Sequence, residues 1–300
     1  MFMAELASLV LHLRAQHTDE VPVWLGRAAH AWFLESLEHI NPELSRIVHD
    51  ENGLKPFTVS NPLPLQSREL TEIKRDTLYM LHLTTLHADL TQLTLHALIP
   101  RWLDEGVRLH AQPFTVEQIV SDEAIDEWAG TATYADLFHK YASAARHLAR
   151  RLTFQFVAPT AFNKTGAQSV PLPMPELVFG SLIDRWLRFS TVALHPDLKQ
   201  FVIENAAISY HRIQSRRVSF DRAARGNVIG FTGEVTFQIA SGDSFWLGQL
   251  HMLAAFARYS GVGVRTTMGL GQVRAYVRQD QPNLQATEQV TEEYIAHAEH

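Results

Sequence analysis

The chain contains no cysteine. That absence excludes a disulfide framework, a thiolate nucleophile and thiolate metal sites, and it fits a cytoplasmic protein. Positive charge is not in excess either: 26 Lys and Arg against 32 Asp and Glu leave a net charge of −6. Such a balance suits a polyanion binder only if its basic residues are concentrated locally. Long apolar runs are missing as well. The stretch Met3–Leu13 is apolar, but it alternates, is too short to span a bilayer and leads into charged residues. It reads as a half-buried first strand rather than an anchor or a leader. No HExxH pattern occurs, and no obvious metal cluster or small-molecule cofactor motif replaces it.

What is present is enough for real cores. The apolar fraction is 46%, with 16 Phe, in 300 residues, a length that accommodates two modest domains. Charge is unevenly placed. Acids gather at Asp122–Glu127 and Glu288–Glu299, whereas Arg212, Arg216, Arg217, Arg222 and Arg225 share one segment with a single acid, Asp221. An anion-binding face on an acidic protein follows from that distribution. The 16 His make any single histidine weak evidence by itself.

Periodicity orders the chain. Trp24–His39 carries Leu25, Ala28, Ala29, Trp32, Phe33 and Leu37 at helical spacing. Asn41-Pro42 supplies an N-cap and a first helical proline for a second helix to His49. Strands are expected at Phe57–Ser60 and Leu78–Thr85, a helix at Asp89–Leu103 and a strand at Val107–Val120 broken near Pro113. The second half repeats this grammar: strand Leu152–Pro159, helix Pro175–Leu194, strands Ala206–Val218 and Gly230–Ile239, helix Ser244–Tyr259 and closing strand Gly271–Arg278. The expected fold class is α+β, two tandem ferredoxin-like (βαββαβ) domains. They span 1–130 and 151–280, with a connecting helix at 131–150 and an acidic tail at 281–300.

The run from Gly261 to Arg274 holds four glycines, Gly261, Gly263, Gly269 and Gly271, within eleven residues. Glycine at this density lets the main chain take positive φ and approach another backbone or an anion closely. The order helix, loop, strand is wrong for a dinucleotide fold, and no Gly-Lys-Ser/Thr follows. A tight helix-to-strand connection explains the glycines equally well. The segment closely resembles the C-terminal glycine-rich loop of the repeat-associated RNA-binding superfamily of CRISPR proteins. Its run Thr266-Thr267-Met268-Gly269-Leu270-Gly271 is similar to that of the repeat-RNA processing endoribonucleases. A second block, from His30-Ala31-Trp32-Phe33-Leu34 through Asn41-Pro42-Glu43-Leu44 and Val48-His49-Asp50 to Lys55-Pro56-Phe57-Thr58-Val59-Ser60, is similar to the family's N-terminal block.

The resemblance implies an endoribonuclease that cleaves CRISPR repeat RNA without a metal. The 2′-OH attacks its own phosphate and leaves a 2′,3′-cyclic phosphate and a 5′-OH. Such a step needs a base, an acid and positive charge on the phosphorane, which imidazole and lysine or arginine can supply. His30 and His49 fall where these enzymes place catalytic side chains, with their base and acid roles open, and Lys55 follows in the loop, where it can neutralise the phosphate. Each has a plain alternative: a packed helix histidine, a C-terminal helix cap and an exposed loop lysine. His39 lies nine residues after His30, roughly half a turn round the helix, and is left out. RNA contacts are expected from Arg212, Arg216, Arg217, Arg222 and Arg225, and from Gly261, Gly263, Arg265, Thr266, Thr267, Gly269, Gly271 and Arg274 around the loop. The implied partners are repeat RNA and other subunits of a CRISPR effector complex; no membrane is expected. The alternatives are a non-catalytic guide-RNA scaffold and a metabolic α+β enzyme that binds a phosphorylated ligand.

Overall fold

The computed structural model describes residues 3–50, 53–62, 70–144, 148–163, 169–220 and 227–276. The tail at 281–300, Arg222 and Arg225 lie outside the described residues.

The first half begins with β1 (Leu6–Ala15), followed by β2 (Asp19–Pro22), α1 (Gly26–Ile40), α2 (Pro42–Asp50) and β3 (Phe57–Val59). β4 (Leu70–Ile73) pairs with β2 as a separate two-stranded ribbon, and β5 (Leu78–Thr85) returns to the main sheet. α3 (Ala88–Leu93) runs through a π-helical turn, Thr94–Leu98, into α4 (Ile99–Glu105). The turn ends two residues before Pro100, which has no N–H to give an i→i−4 bond. β6 (Val107–Leu109) and β7 (Gln112–Val120) form a hairpin, with His110 at φ 58 in its turn. The strand break expected near Pro113 therefore falls three residues earlier.

The strand order β3-β5-β1-β7-β6, antiparallel throughout, places β1 centrally, as a ferredoxin-like fold requires. β1 is more buried than its alternation suggested. Leu9, Leu11 and Leu13 join the core beneath α1, while Val10 on the other face packs with Val120, Ala129 and Trp128. On α1, Ala29, Trp32, Phe33 and Leu37 make the buried stripe. Phe33 rests on Phe57 with ring centroids 4.7 Å apart. Asn41 ends α1 through its N–H to the Leu37 carbonyl and starts α2, its side-chain oxygen accepting from the Leu44 N–H at 3.0 Å.

β8 (Gly130–Ala132) also pairs with β1, and α5 (Tyr134–Ala144) follows. The helix expected at 131–150 as a connector is thus shorter, and it is not isolated. Tyr134 and Leu137 belong to the second core, where the Tyr134 ring meets Trp186 edge-on at 5.1 Å.

The second half comprises β9 (Arg151–Thr160), a small hairpin of β10 (Phe162–Asn163) and β11 (Ser169–Val170), α6 (Pro175–Phe189), α7 (Leu198–Asn205), β12 (Ala206–Val218), β13 (Val228–Ile239), α8 (Ser244–Ser260) and β14 (Val273–Tyr276). A 3-10 turn, Thr266–Met268, lies between α8 and β14. Its sheet, β12-β13-β9-β14, repeats the order of the first, so the chain carries tandem ferredoxin-like folds. A core of stacked and edge-on phenylalanines, including Phe154, Phe156, Phe179, Phe231 and Phe237, sits between sheet and helices. Among the described residues no helix is long and apolar enough to cross a membrane.

Candidate active site

Helix α1 starts against the glycine loop of the second half. The Leu25 N–H donates to the Asn61 side-chain oxygen at 2.7 Å, and the Trp24 indole N–H donates to the Met268 carbonyl at 2.8 Å. Gly26 lets the helix come this close: a Cβ there would lie 2.0 Å from the Met268 oxygen. One turn further along, His30 stacks on Phe57 with centroids 5.5 Å apart, and its Nδ1 is 3.1 Å from the Thr267 carbonyl oxygen.

A carbonyl only accepts, so Nδ1 carries the proton and Nε2 is left as the acceptor of the neutral ring. Burial pushes the pKa of His30 below its ordinary value, opposed by the bond to Thr267 and helped by the positive charges of Lys55, His49 and Arg27. A half-buried imidazole that prefers to be neutral, with a fixed tautomer and cations about it, is suited to accepting a proton beside an anion.

His49 is exposed in the last turn of α2. Lys55 donates from Nζ to the carbonyls of Val48 at 2.8 Å and His49 at 2.6 Å. The ammonium therefore caps the carboxyl end of α2, where a helix terminus attracts positive charge. His39 is exposed on α1, away from the buried stripe.

The glycines of the loop adopt positive φ, from +59° at Gly261 to +95° at Gly269. Their close neighbours are protein. A Cβ on Gly263 would lie 2.3 Å from the Ala161 oxygen, one on Gly271 2.1 Å from the Val262 oxygen, and one on Gly269 2.9 Å from the Trp24 ring. The connection reading of these glycines thus has direct geometric support, and the loop turns its Thr267 carbonyl to His30. Thr266 is buried. Arg265 is exposed at φ 55, its guanidinium 4.7 Å above the Phe220 ring.

The arginines divide. Arg212, Arg216 and Arg217 are exposed on β12, the edge strand of the second sheet. Successive side chains of a strand point to opposite faces, so Arg212 and Arg216 share one face and Arg217 lies on the other. Arg274 is engaged elsewhere: it pairs with Glu127, donates to Gln155 at 2.9 Å and lies 5.1 Å above the Trp128 ring. Its charge is committed to Glu127 rather than offered at the loop.

Four residues escaped the sequence reading. Arg27 is three residues before His30, hence on the same side of α1, and donates to the Phe220 carbonyl at 3.4 Å. That spacing was a usable signal. Trp24, Asn61 and Arg185 act through contacts between distant segments, for which no local pattern exists. Among the described residues no group of three or more His, Asp or Glu is placed to hold a metal ion.

Two family models match the chain. The CRISPR Cas6 N-terminal domain matches residues 6–139, and CRISPR-associated endoribonuclease Cas6 matches residues 154–273. A CRISPR-associated endoribonuclease Cas6 of Streptococcus thermophilus is 23% identical over 212 residues, 69% of this chain and 78% of that protein. One of Mycobacterium tuberculosis is 31% identical over 131 residues, 43% of this chain and 40% of that protein. A solved Cas6 product complex superimposes with a TM-score of 0.74 at 27% identity, covering 91% of this chain and 100% of that one.

Proposed function

Because this chain belongs to the CRISPR-associated endoribonuclease Cas6 family, we propose that it cleaves CRISPR precursor RNA within the repeats, using the 2′-OH beside the scissile bond as nucleophile. O2′ bonds to phosphorus and the P–O5′ bond breaks, so the products are a 2′,3′-cyclic phosphate and a 5′-OH. The reaction consumes no water and calls for no metal.

The observation that carries this reading is the contact of His30 Nδ1 with the Thr267 carbonyl oxygen, from which the tautomer follows. With Nδ1–H engaged by Thr267, Nε2 takes the proton of the 2′-OH. His49 gives a proton to the departing O5′, and Lys55 and Arg27 place positive charge beside the phosphorane. Repeat RNA is the partner, held along the exposed arginines of β12 and at Arg265. A cytoplasmic location and a place beside other effector subunits belong to the same proposal.

The test is single-turnover cleavage of repeat RNA in EDTA. A discrete cut, a cyclic-phosphate end and complete block by a single 2′-deoxy nucleotide at the cut site are expected. Cleavage of the deoxy substrate, or loss of cleavage in EDTA, overturns the mechanism.

A further inference from the structure

Arg185, in α6, is only 5% exposed. Burial pushes its pKa down to about 10, so it stays charged at neutral pH. A buried guanidinium is costly unless its donors are met. Among the described residues Arg185 is in no ion pair, since the neighbouring Asp184 pairs with Lys199 at 2.6 Å. Its donors go instead to the glycine loop: the Gly263 carbonyl at 2.8 Å and the Thr266 hydroxyl at 3.3 Å, with the Ser181 hydroxyl alongside. That same Ser181 hydroxyl accepts the Gly263 N–H at 2.9 Å. Both ends of the Gly263–Thr266 segment are therefore fastened to one turn of α6. The next residue is Thr267, whose carbonyl holds His30.

We propose that Arg185 is a positioning residue for His30: its guanidinium fixes the loop main chain from Gly263 to Thr266 and so holds the Thr267 carbonyl that selects the Nδ1–H form of the ring. The catalytic consequence rests on His30 being the base; the positional one does not. Arg185 touches neither His30 nor the reacting phosphate in this assignment. Its Nη2 donates to both loop acceptors while Nη1 donates to the Ser181 hydroxyl, so one planar group ties the loop to α6.

The experiment uses the full chain with 15N-labelled histidine. Long-range 1H–15N spectra, recorded at a pH where the imidazole is neutral, report which ring nitrogen carries the proton, with His30 assigned from its alanine variant. Wild type should show Nδ1–H. Arg185→Met should show a shift toward Nε2–H, and single-turnover cleavage should fall about 10–100-fold, as expected when a supporting hydrogen-bond partner of an active-site group is removed. Repeat-RNA affinity should fall by less than the cleavage rate, since Arg265 lies in the loosened segment and the arginines of β12 do not. Retention of Nδ1–H in folded Arg185→Met overturns the proposal. Should that variant fail to fold, Ser181→Ala and Thr266→Val each remove one leg of the same anchorage, and an unchanged tautomer in both overturns it equally. A shifted tautomer together with normal cutting by His30→Ala would uphold the positioning role and refute His30 as base.

Discussion

His30 and Thr267 are 237 residues apart in sequence, and the Nδ1 of one lies 3.1 Å from the carbonyl oxygen of the other. The ring comes from the first ferredoxin-like fold and the acceptor from the second. Trp24 and Gly26 bring the start of α1 onto the Met268 carbonyl, and Arg185 and Ser181 fasten the loop from beneath. The tautomer of one side chain thus depends on how the two halves dock.

In the proposed reaction His30 works in its neutral form. Burial and the charges of Lys55, His49 and Arg27 hold its pKa below 6.5. The ascending limb of the pH–rate profile should accordingly have its midpoint below 6.5. His30→Ala should slow single-turnover cleavage by about 10²–10⁴-fold with RNA binding retained. Lys55→Met removes one of the lowering charges and should move the midpoint upward. A wild-type midpoint above 6.5, or a downward move in Lys55→Met, would contradict the assignment.

His82 gives a stability test independent of RNA. Burial lowers its pKa from 6.5 to about 4, with the charge of His12 adding to the effect and Asp126 opposing it. Between these values the unfolded chain binds a proton that the folded chain does not, so stability rises with pH across that window. Going down from pH 6.5 to 4, His82 should remove up to about 3 kcal/mol. Urea midpoints for His82→Gln should show a shallower acid loss than wild type. Equal slopes would place the acid sensitivity elsewhere.

The order of elements was legible because the apolar spacing of α1, the Asn41-Pro42 break and the glycine cluster are local signals. The β2–β4 ribbon was not, since Asp19–Pro22 presents only Val21 as a buried residue. The fate of α5 was hidden for another reason: Tyr134 finds its partners Trp186 and Phe256 in a different half of the chain. His30 could be singled out, but its proton could not, because the group that sets it is a main-chain carbonyl without any residue-type signature. Arg216 and Arg217 are adjacent in sequence, and the pleat of β12 separates them.

That pleat has a measurable consequence. If one face of β12 tracks the RNA backbone, neutralising Arg212 and Arg216 together should flatten the slope of log K against log salt by up to about two phosphate contacts. Arg217, on the opposite face, should contribute differently. Filter-binding across a salt series with the double variants Arg212/Arg216→Gln and Arg216/Arg217→Gln separates the cases. Identical slopes for wild type and both variants would remove β12 from the interface.

Gly26 offers the sharpest test of docking. In an ordinary helix, Gly→Ala stabilises by roughly 0.5–1 kcal/mol, because alanine loses less backbone freedom on folding. At position 26 the added methyl would sit 2.0 Å from the Met268 oxygen and 2.8 Å from the Trp24 indole nitrogen. Met268 O is main chain held in the 3-10 turn, so it cannot swing aside as a side-chain tip could. Relief must come from moving α1 off the loop, which weakens the Trp24–Met268 bond and draws His30 away from Thr267. Gly26→Ala should therefore destabilise the protein despite its better helix propensity, and it should slow cleavage at least about 10-fold. The first half should keep its fold, and the Nδ1–H signal of His30 should be diminished in the same long-range spectra. An alanine variant that is more stable than wild type and cuts normally would mean that α1 and the loop are not packed as described.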